Sequence, residues 1–318
     1  MSTETTGYTE HIFTGDRLQR DVRHWLSPPD PWKNHNLARK SRHSGTGTWW
    51  VESNTYLEWQ SSGPSSLLWI HGKRQCSASF SFHRTNAYFV STAGAGKSVI
   101  WYGDLLTVLV RELMLLTSST IIEDSRISQK LGLASLAFFY CDFRDDQKKD
   151  LRGLLTSLLA QLGDQSNACS TILSDLYVAH GRGSQHAGDG ELLECLKNML
   201  RLSGQPTVHI VIDAIDECPV MAGFPSPREE VLELVEELIN LHVSNLRICV
   251  TSRPEADIAS VLGRLAFRSV SLHGENGQTQ DIAEYIKFQV RTDFKMRAWR
   301  TADKELVIDV LTKRASGM

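Results

Sequence analysis

Short apolar runs recur along the chain between longer stretches with helical periodicity. Leu67-Leu68-Trp69-Ile70, Leu136-Ala137-Phe138-Phe139-Tyr140-Cys141, Val208-His209-Ile210-Val211-Ile212 and Leu246-Arg247-Ile248-Cys249-Val250 lack regular polar alternation, and Phe267 to Leu272 adds a fifth, weaker run. Strands that are apolar on both faces belong to a sheet covered on both sides. Leu151, Leu154, Leu155, Leu158, Leu159 and Leu162 fall on one helical stripe, with Gly163 as the stop. Ser226-Pro227-Arg228-Glu229 has the form of a capping box with proline at the first helical position, opening a helix to about Leu241. Two further helical patterns lie near Asp281–Val290 and Ala302–Lys313. Strands alternating with helices predict an α/β fold around a mainly parallel sheet.

The first sixty residues read differently. A short amphipathic helix is predicted around Asp16 to Trp25, followed by the turn cluster Ser27-Pro28-Pro29-Asp30-Pro31. One or two helices are expected between Asn36 and Gln60, broken at Gly45-Thr46-Gly47, with Trp49, Trp50 and Trp59 as packing residues. Residues 1–60 are therefore a helical lead-in, 61–273 the core, and 274–318 a helical C-terminal extension.

Composition narrows the function classes. With 318 residues, 41% of them hydrophobic, the chain suits one large α/β domain or two modest ones. The balance of 34 basic against 37 acidic residues excludes a strongly basic nucleic-acid binder and an acidic tail protein. No apolar run approaches a membrane span, and the start lacks a secretory pattern. The cysteines form no C-x-x-C pair, which argues against zinc sites and disulfide scaffolds and for a reducing, cytoplasmic setting.

Three local signals carry chemistry. In Gly94-Ala95-Gly96-Lys97-Ser98 the glycines let successive backbone N–H groups turn toward one anion. Lys97 would reach the β and γ phosphates and Ser98 would ligate Mg²⁺, with the positive end of the following helix behind them. The full phosphate-loop pattern requires glycine at position 91, where this chain has Ser91, so a Gly/Ala turn with a surface lysine also stands. The run Val208 to Ile212 ends in Asp213-Ala214-Ile215-Asp216-Glu217. A carboxylate at the carboxyl end of a parallel strand sits where such sheets bind ligands, so Asp213 is placed to hold Mg²⁺ and Asp216 or Glu217 to activate water. The fourth run ends in Thr251-Ser252-Arg253-Pro254, and Arg253 could contact a γ-phosphate. Read singly, the second and third signals are also an acidic loop and a surface arginine before a turn.

Together with Leu68-Trp69-Ile70-His71-Gly72-Lys73, Phe138-Phe139-Tyr140-Cys141-Asp142-Phe143-Arg144-Asp145 and the lead-in motif Trp25-Leu26-Ser27-Pro28-Pro29-Asp30-Pro31, these residues resemble a fungal NACHT domain. That version is also described as the nephrocystin-3-like N-terminal domain of STAND-class signalling P-loop NTPases. The resemblance covers about residue 20 to the C-terminus. It implies a P-loop NTPase three-layer sandwich with a five-stranded sheet, the arginine strand lying between the phosphate-loop and Asp213 strands. It also implies ATP or GTP as ligand with Mg²⁺, bound by Gly72, Gly94, Ala95, Gly96, Lys97 and Ser98. Ser98 and Asp213 would hold the metal, Asp216 and Glu217 the hydrolytic water, and Arg253 would be the sensor. Family members are usually longer, adding a winged helix and a repeat array that senses a ligand; this chain is expected to stop where the winged helix begins. Self-association or association with related proteins is expected, with no nucleic acid and no membrane span.

The chain departs from the family pattern in two places. The first strand should run directly into the phosphate loop, yet residues 74–93 intervene between Lys73 and Gly94, and a second surplus lies at about 101–117. The first adds only about 1.5 kcal/mol of loop-closure entropy, but the phosphate nest needs its turn to leave the strand directly. A catalytically dead scaffold or regulatory fragment is therefore a rival to the switch reading. A small-molecule kinase would need an acceptor site, and a nucleic-acid motor a basic surface excess. Because the family motif reads through when each surplus is removed, both segments are hypothesised to be retained intron sequence. The expected genomic finding is GT and AG dinucleotides at the borders of each; their absence from both overturns the idea.

Overall fold

A computed structural model describes residues 17–41, 48–72, 102–221, 225–272, 283–284, 286–288, 290–292 and 296–316. Five strands form one sheet: β1 (Ser66–His71), β2 (Ala134–Tyr140), β3 (Thr207–Asp213), β4 (Leu246–Ser252) and β5 (Arg268–Ser271). Their order is β2-β3-β4-β1-β5, and every pairing is parallel. The expected α/β sandwich is the observed one, and β4 separates β1 from β3. Each expected strand is present to within two residues at either end.

The helices lie in two layers. On one face are α2 (Trp32–Ser41), α3 (Thr48–Val51), α4 (Asn54–Ser61) and α5 (Tyr102–Lys130). Trp50, Tyr56, Trp59, Ile121 and Ile122 of this layer are buried with Leu68, Ile70, Phe138 and Val211 of the sheet. The other face carries α1 (residues 17–26), α6 (Leu151–Gly163), α7 (Asn167–Ala179), α8 (Asp189–Leu200), α9 (Pro227–Asn240) and α10 (Ala256–Leu265). Its core joins the leucine stripe of α6 to Leu67, Phe139, Ile210 and Ile248. Alternate residues of each strand thus enter opposite cores, which is why the runs are mostly apolar, with buried His209 and Arg247 as hydrogen-bonded exceptions. Ser226 accepts from Glu229 N–H while Glu229 accepts from Ser226 N–H, the reciprocal cap expected at the start of α9. Helical residues also occur within 283–292, and a last helix spans Thr301–Ser316.

The lead-in is part of this core. Trp25 packs with Tyr177 on one face, while Trp50 and Trp59 are fully buried on the other. At the sheet edge, Gln161 of α6 and Gln165 just past its end act as a substitute strand for β2. Gln161 pairs its amide with the N–H and C=O of Phe138 (3.1 and 2.8 Å), and Gln165 does the same for Leu136 (2.9 and 2.6 Å). An open edge that could template pairing with another chain is thereby occupied. Among the described residues no helix is long and apolar enough to cross a membrane.

Within the α5 layer, His209 of β3 is buried, with Nδ1 2.9 Å from Ser125 Oγ. Burial, with the nearby Arg247 guanidinium, pushes its pKa down to about 4. The unfolded chain therefore takes up a proton near pH 6.5 that the folded chain refuses until about pH 4. The stabilisation is complete above pH 6.5 and is lost as pH falls through this window. We expect unfolding free energy to drop from pH 7 to pH 5 by about 2 kcal/mol more in the parent than in His209→Asn, measured by urea denaturation.

Candidate functional site

The topology fixes where a site can lie. The connection leaving β1 runs to β2 at the far edge, and the connection leaving β4 runs to β5 on the other side of β1. The strand order reverses between β1 and β4, and in open parallel sheets the crevice outside the carboxyl ends at such a point receives ligands. The loops after β2, β3 and β4 converge there.

Asp213 ends β3 with its side chain buried, and its Oδ1 accepts from Thr251 Oγ1 of β4 at 2.6 Å. Thr251 Oγ1 in turn accepts from Ala214 N–H at 3.0 Å. Ala214 lies in the left-handed region (φ 57°, ψ 51°), a conformation that costs a non-glycine residue about 1 kcal/mol or more. The strained residue turns the chain sharply into a 3₁₀ turn, Ile215–Glu217, which brings two more carboxylates to the same edge.

Those carboxylates are not equivalent. Asp216 is buried, accepts the backbone N–H of Arg253 at 3.0 Å, and has its Oδ2 3.3 Å from Arg253 Nε. Burial raises its pKa, opposed by these contacts with Arg253. Glu217 is partly exposed and accepts from Phe143 N–H of the loop after β2 at 3.4 Å. Asp216 is committed to holding the arginine loop, and Glu217 faces the cleft. Arg253 keeps about half of its side chain in solvent.

The loop after β2 supplies a second aspartate–arginine pair. Asp142 accepts from Arg144 Nε (2.8 Å) and Nη2 (2.9 Å), and the guanidinium holds its pKa down at about 2. The lead-in anchors this loop: Asn34 donates to Asp142 at 3.2 Å, and buried Lys148 donates to Asn34 Oδ1 and Asp30 O, each at 2.7 Å. Gly153 is required beneath it, because a Cβ there would stand 1.9 Å from the Gln147 carbonyl oxygen. Behind the loops, Cys141 and Cys218 are buried free thiols, and their mutual hydrogen bond pushes the Cys141 thiol well up.

A cleft of about 180 Å³ opens between these loops, with Asp213, Asp216, Glu217, Arg253 and Arg144 in its wall and Met114 and Leu115 of α5 opposite. Of the sequence-predicted residues, Asp213, Asp216, Glu217 and Arg253 are brought together. Gly72 is buried just beyond β1, its carbonyl accepting from His71 Nδ1–H at 2.6 Å. Gly94, Ala95, Gly96, Lys97 and Ser98 lie outside the described residues, as does the segment 74–93. Residues 102–117, read as a second surplus, form the first part of α5.

The chain matches the family described as Nephrocystin 3, N-terminal, over residues 84–253, just over half of its length. It belongs to the nephrocystin-3 N-terminal family. The matched segment runs from within the 74–93 stretch to Arg253 and so includes both the Gly94–Ser98 motif and the carboxylates of the cleft. A search of curated proteins finds no match. Among solved structures, C. elegans PCH-2 is 13% identical with a TM-score of 0.22, covering 65% of this chain and 59% of its own. At that TM-score the likeness decides nothing about fold or function; the fold rests on the sheet order and the family on the match over residues 84–253.

Sequence reasoning missed Arg228, in the first turn of α9. Its buried guanidinium donates to the carbonyls of Cys218 (3.0 Å) and Asp216 (2.7 Å) and to Glu255 (2.5 Å) and Asp257 (3.2 Å) at the start of α10. It ties the carboxylate turn after β3 to the segment after Arg253. The available signal was a cation at a helix N-terminus, where the dipole favours anions. Arg228→Ala leaves two buried carbonyls without donors, and we expect a loss of about 2–4 kcal/mol in denaturant unfolding, not recovered by Arg228→Lys, which cannot fork.

Proposed function

We propose that this chain is the nucleoside-triphosphate-binding switch core of a NACHT-type STAND signalling protein. It binds ATP or GTP with Mg²⁺ and hydrolyses it slowly to reset a signalling state. The observation that carries this is the buried Asp213 carboxylate at the end of β3, hydrogen-bonded to β4 and flanked by Glu217 and Arg253 in one cleft. Family membership supports the nucleotide-binding class, and the signal we propose, from the resemblance to fungal NACHT proteins, is non-self recognition or cell death.

The donor set fits magnesium. Among the described residues no three acidic or His/Cys side chains are grouped to cage a metal, and Mg²⁺ in nucleotide sites is usually held by one or two carboxylates plus the phosphates. Asp213 and Ser98 would hold it, and it would neutralise charge developing on the β and γ phosphates. Glu217, which lines the cleft beside Asp216, orients the attacking water and accepts its proton, while Asp216 holds Arg253. Arg253, fixed through its N–H and Nε by Asp216, presents its remaining guanidinium donors to the γ-phosphate. Catalysis is positioning and charge stabilisation, without a covalent intermediate.

One observation favours the scaffold reading instead. Ser125 of α5 meets His209 in mid-sheet while Met114 lines the cleft, so α5 runs antiparallel to β3. Its first residue, Tyr102, then lies about 18 Å along the axis from Met114, beyond the carboxyl edge of the sheet. A helix following a phosphate loop should instead begin at the cleft.

Equilibrium binding of fluorescent ATP and GTP analogues with Mg²⁺ separates the two. The chain is compared with a version carrying one proline in place of residues 74–93, each with and without Lys97→Ala. Binding by both versions, lost in Lys97→Ala, is the expected result for the switch. Binding by the shortened version alone makes this chain a dead variant, and binding by neither, with both folded, leaves the scaffold.

A further inference from the structure

The motif Cys141-Asp142-Phe143-Arg144-Asp145 has no role in the mechanism above, yet it reaches the same cleft. We propose that Arg144 is a second ligand for the terminal phosphate of the bound nucleoside triphosphate, supplied by the loop after β2 on the side of Glu217 opposite Arg253. The inference rests on the nucleotide-binding reading and extends it to a specific phosphate.

The two arginines are built alike. Asp216 holds Arg253 through Nε, and Asp142 holds Arg144 through Nε and Nη2. Each guanidinium is thus gripped along one edge while other donors stay available, and Arg144 and Arg253 are 60% and 50% exposed. A guanidinium oriented by a carboxylate is preorganised for forked contact with phosphate oxygens and gives up little freedom on binding. The charge of the cleft demands such cations. Asp213, Asp216 and Glu217 line it together with Arg144 and Arg253, so each arginine offsets part of the repulsion that a terminal phosphate meets there. The placement is also rigid. Phe143 N–H is bonded to Glu217, so the residue before Arg144 moves with the group that orients water. Asp142 is fixed in turn by Asn34 and its own backbone N–H by the Lys148 carbonyl at 3.0 Å.

A purely structural Arg144, serving only to satisfy Asp142, would not distinguish nucleotides by phosphate number. The test is therefore the ratio of triphosphate to diphosphate affinity in the full chain, with fluorescent ATP and ADP analogues, Mg²⁺ and fixed salt. Arg144→Ala is expected to weaken ATP about tenfold while leaving ADP within about twofold, with Arg144→Lys between the two. Arg144→Ala also takes from Asp142 its guanidinium partner, so the thermal midpoint is expected to fall; the fold of each variant is checked by circular dichroism, and the ATP-to-ADP ratio is the readout. Equal weakening of ATP and ADP, or no change in either while the parent binds both, overturns the role of Arg144 and leaves the nucleotide-binding reading standing. A folded parent chain that binds neither nucleotide overturns both.

Discussion

A parallel sheet must carry its chain back across a face after every strand, so each strand delivers its following loop to the same edge. In this molecule that constraint decides where chemistry can occur. With the order β2-β3-β4-β1-β5, the loops after β2, β3 and β4 are neighbours. Arg144, the Asp213–Glu217 turn and Arg253 meet at one cleft although more than one hundred residues separate the first from the last. The hydrogen bond from Thr251 to Asp213 closes the seam between β3 and β4 at the point where both strands stop.

Bringing so many polar groups to a partly buried edge requires partners for each of them. Arg228 supplies these for the carbonyls of the carboxylate turn and ties that turn to the start of α10. Asp216 accepts the Arg253 N–H, and the left-handed Ala214 is held by the Thr251 hydroxyl. Unpaired, each such group would cost about a kcal/mol or more, so the strained turn persists only because its surroundings over-determine it. The same logic extends to the lead-in. Asp30 and Asn34 fix Lys148 and Asp142, while Trp25, Trp50 and Trp59 fill cores on both faces of the sheet. The N-terminal segment is a structural component of the cleft, and truncating it would expose both cores.

The long α5 shows how one element can serve the fold while complicating the site. Its middle and end bury Ile121, Ile122 and Ser125 against the sheet and hold β2 and β3 in place. Its start lies well past the cleft, a length of helix that the sheet itself does not need.

The strands, α6 and α9 were legible in the sequence because their signals are local. A strand covered on both faces is apolar at most positions, and a capping box satisfies its own helix end whatever surrounds it. The acids at the end of β3 could be read as a site for the same reason, since a strand fixes the direction in which the next residues leave the sheet. Sequence reasoning missed α7, α8 and α10, although each carries a stripe: Cys169, Ile172, Leu173, Leu176 and Tyr177 on α7, Leu192, Cys195, Leu196, Met199 and Leu200 on α8, and Ile258, Ala259, Val261, Leu262 and Leu265 on α10. Only the tertiary structure divided Asp216 from Glu217, gave Arg228 its partners and paired Asp142 with Arg144 beside Glu217. Those assignments depend on which distant segments become neighbours, and hydrogen bonds between residues far apart in sequence leave no periodic trace along the chain.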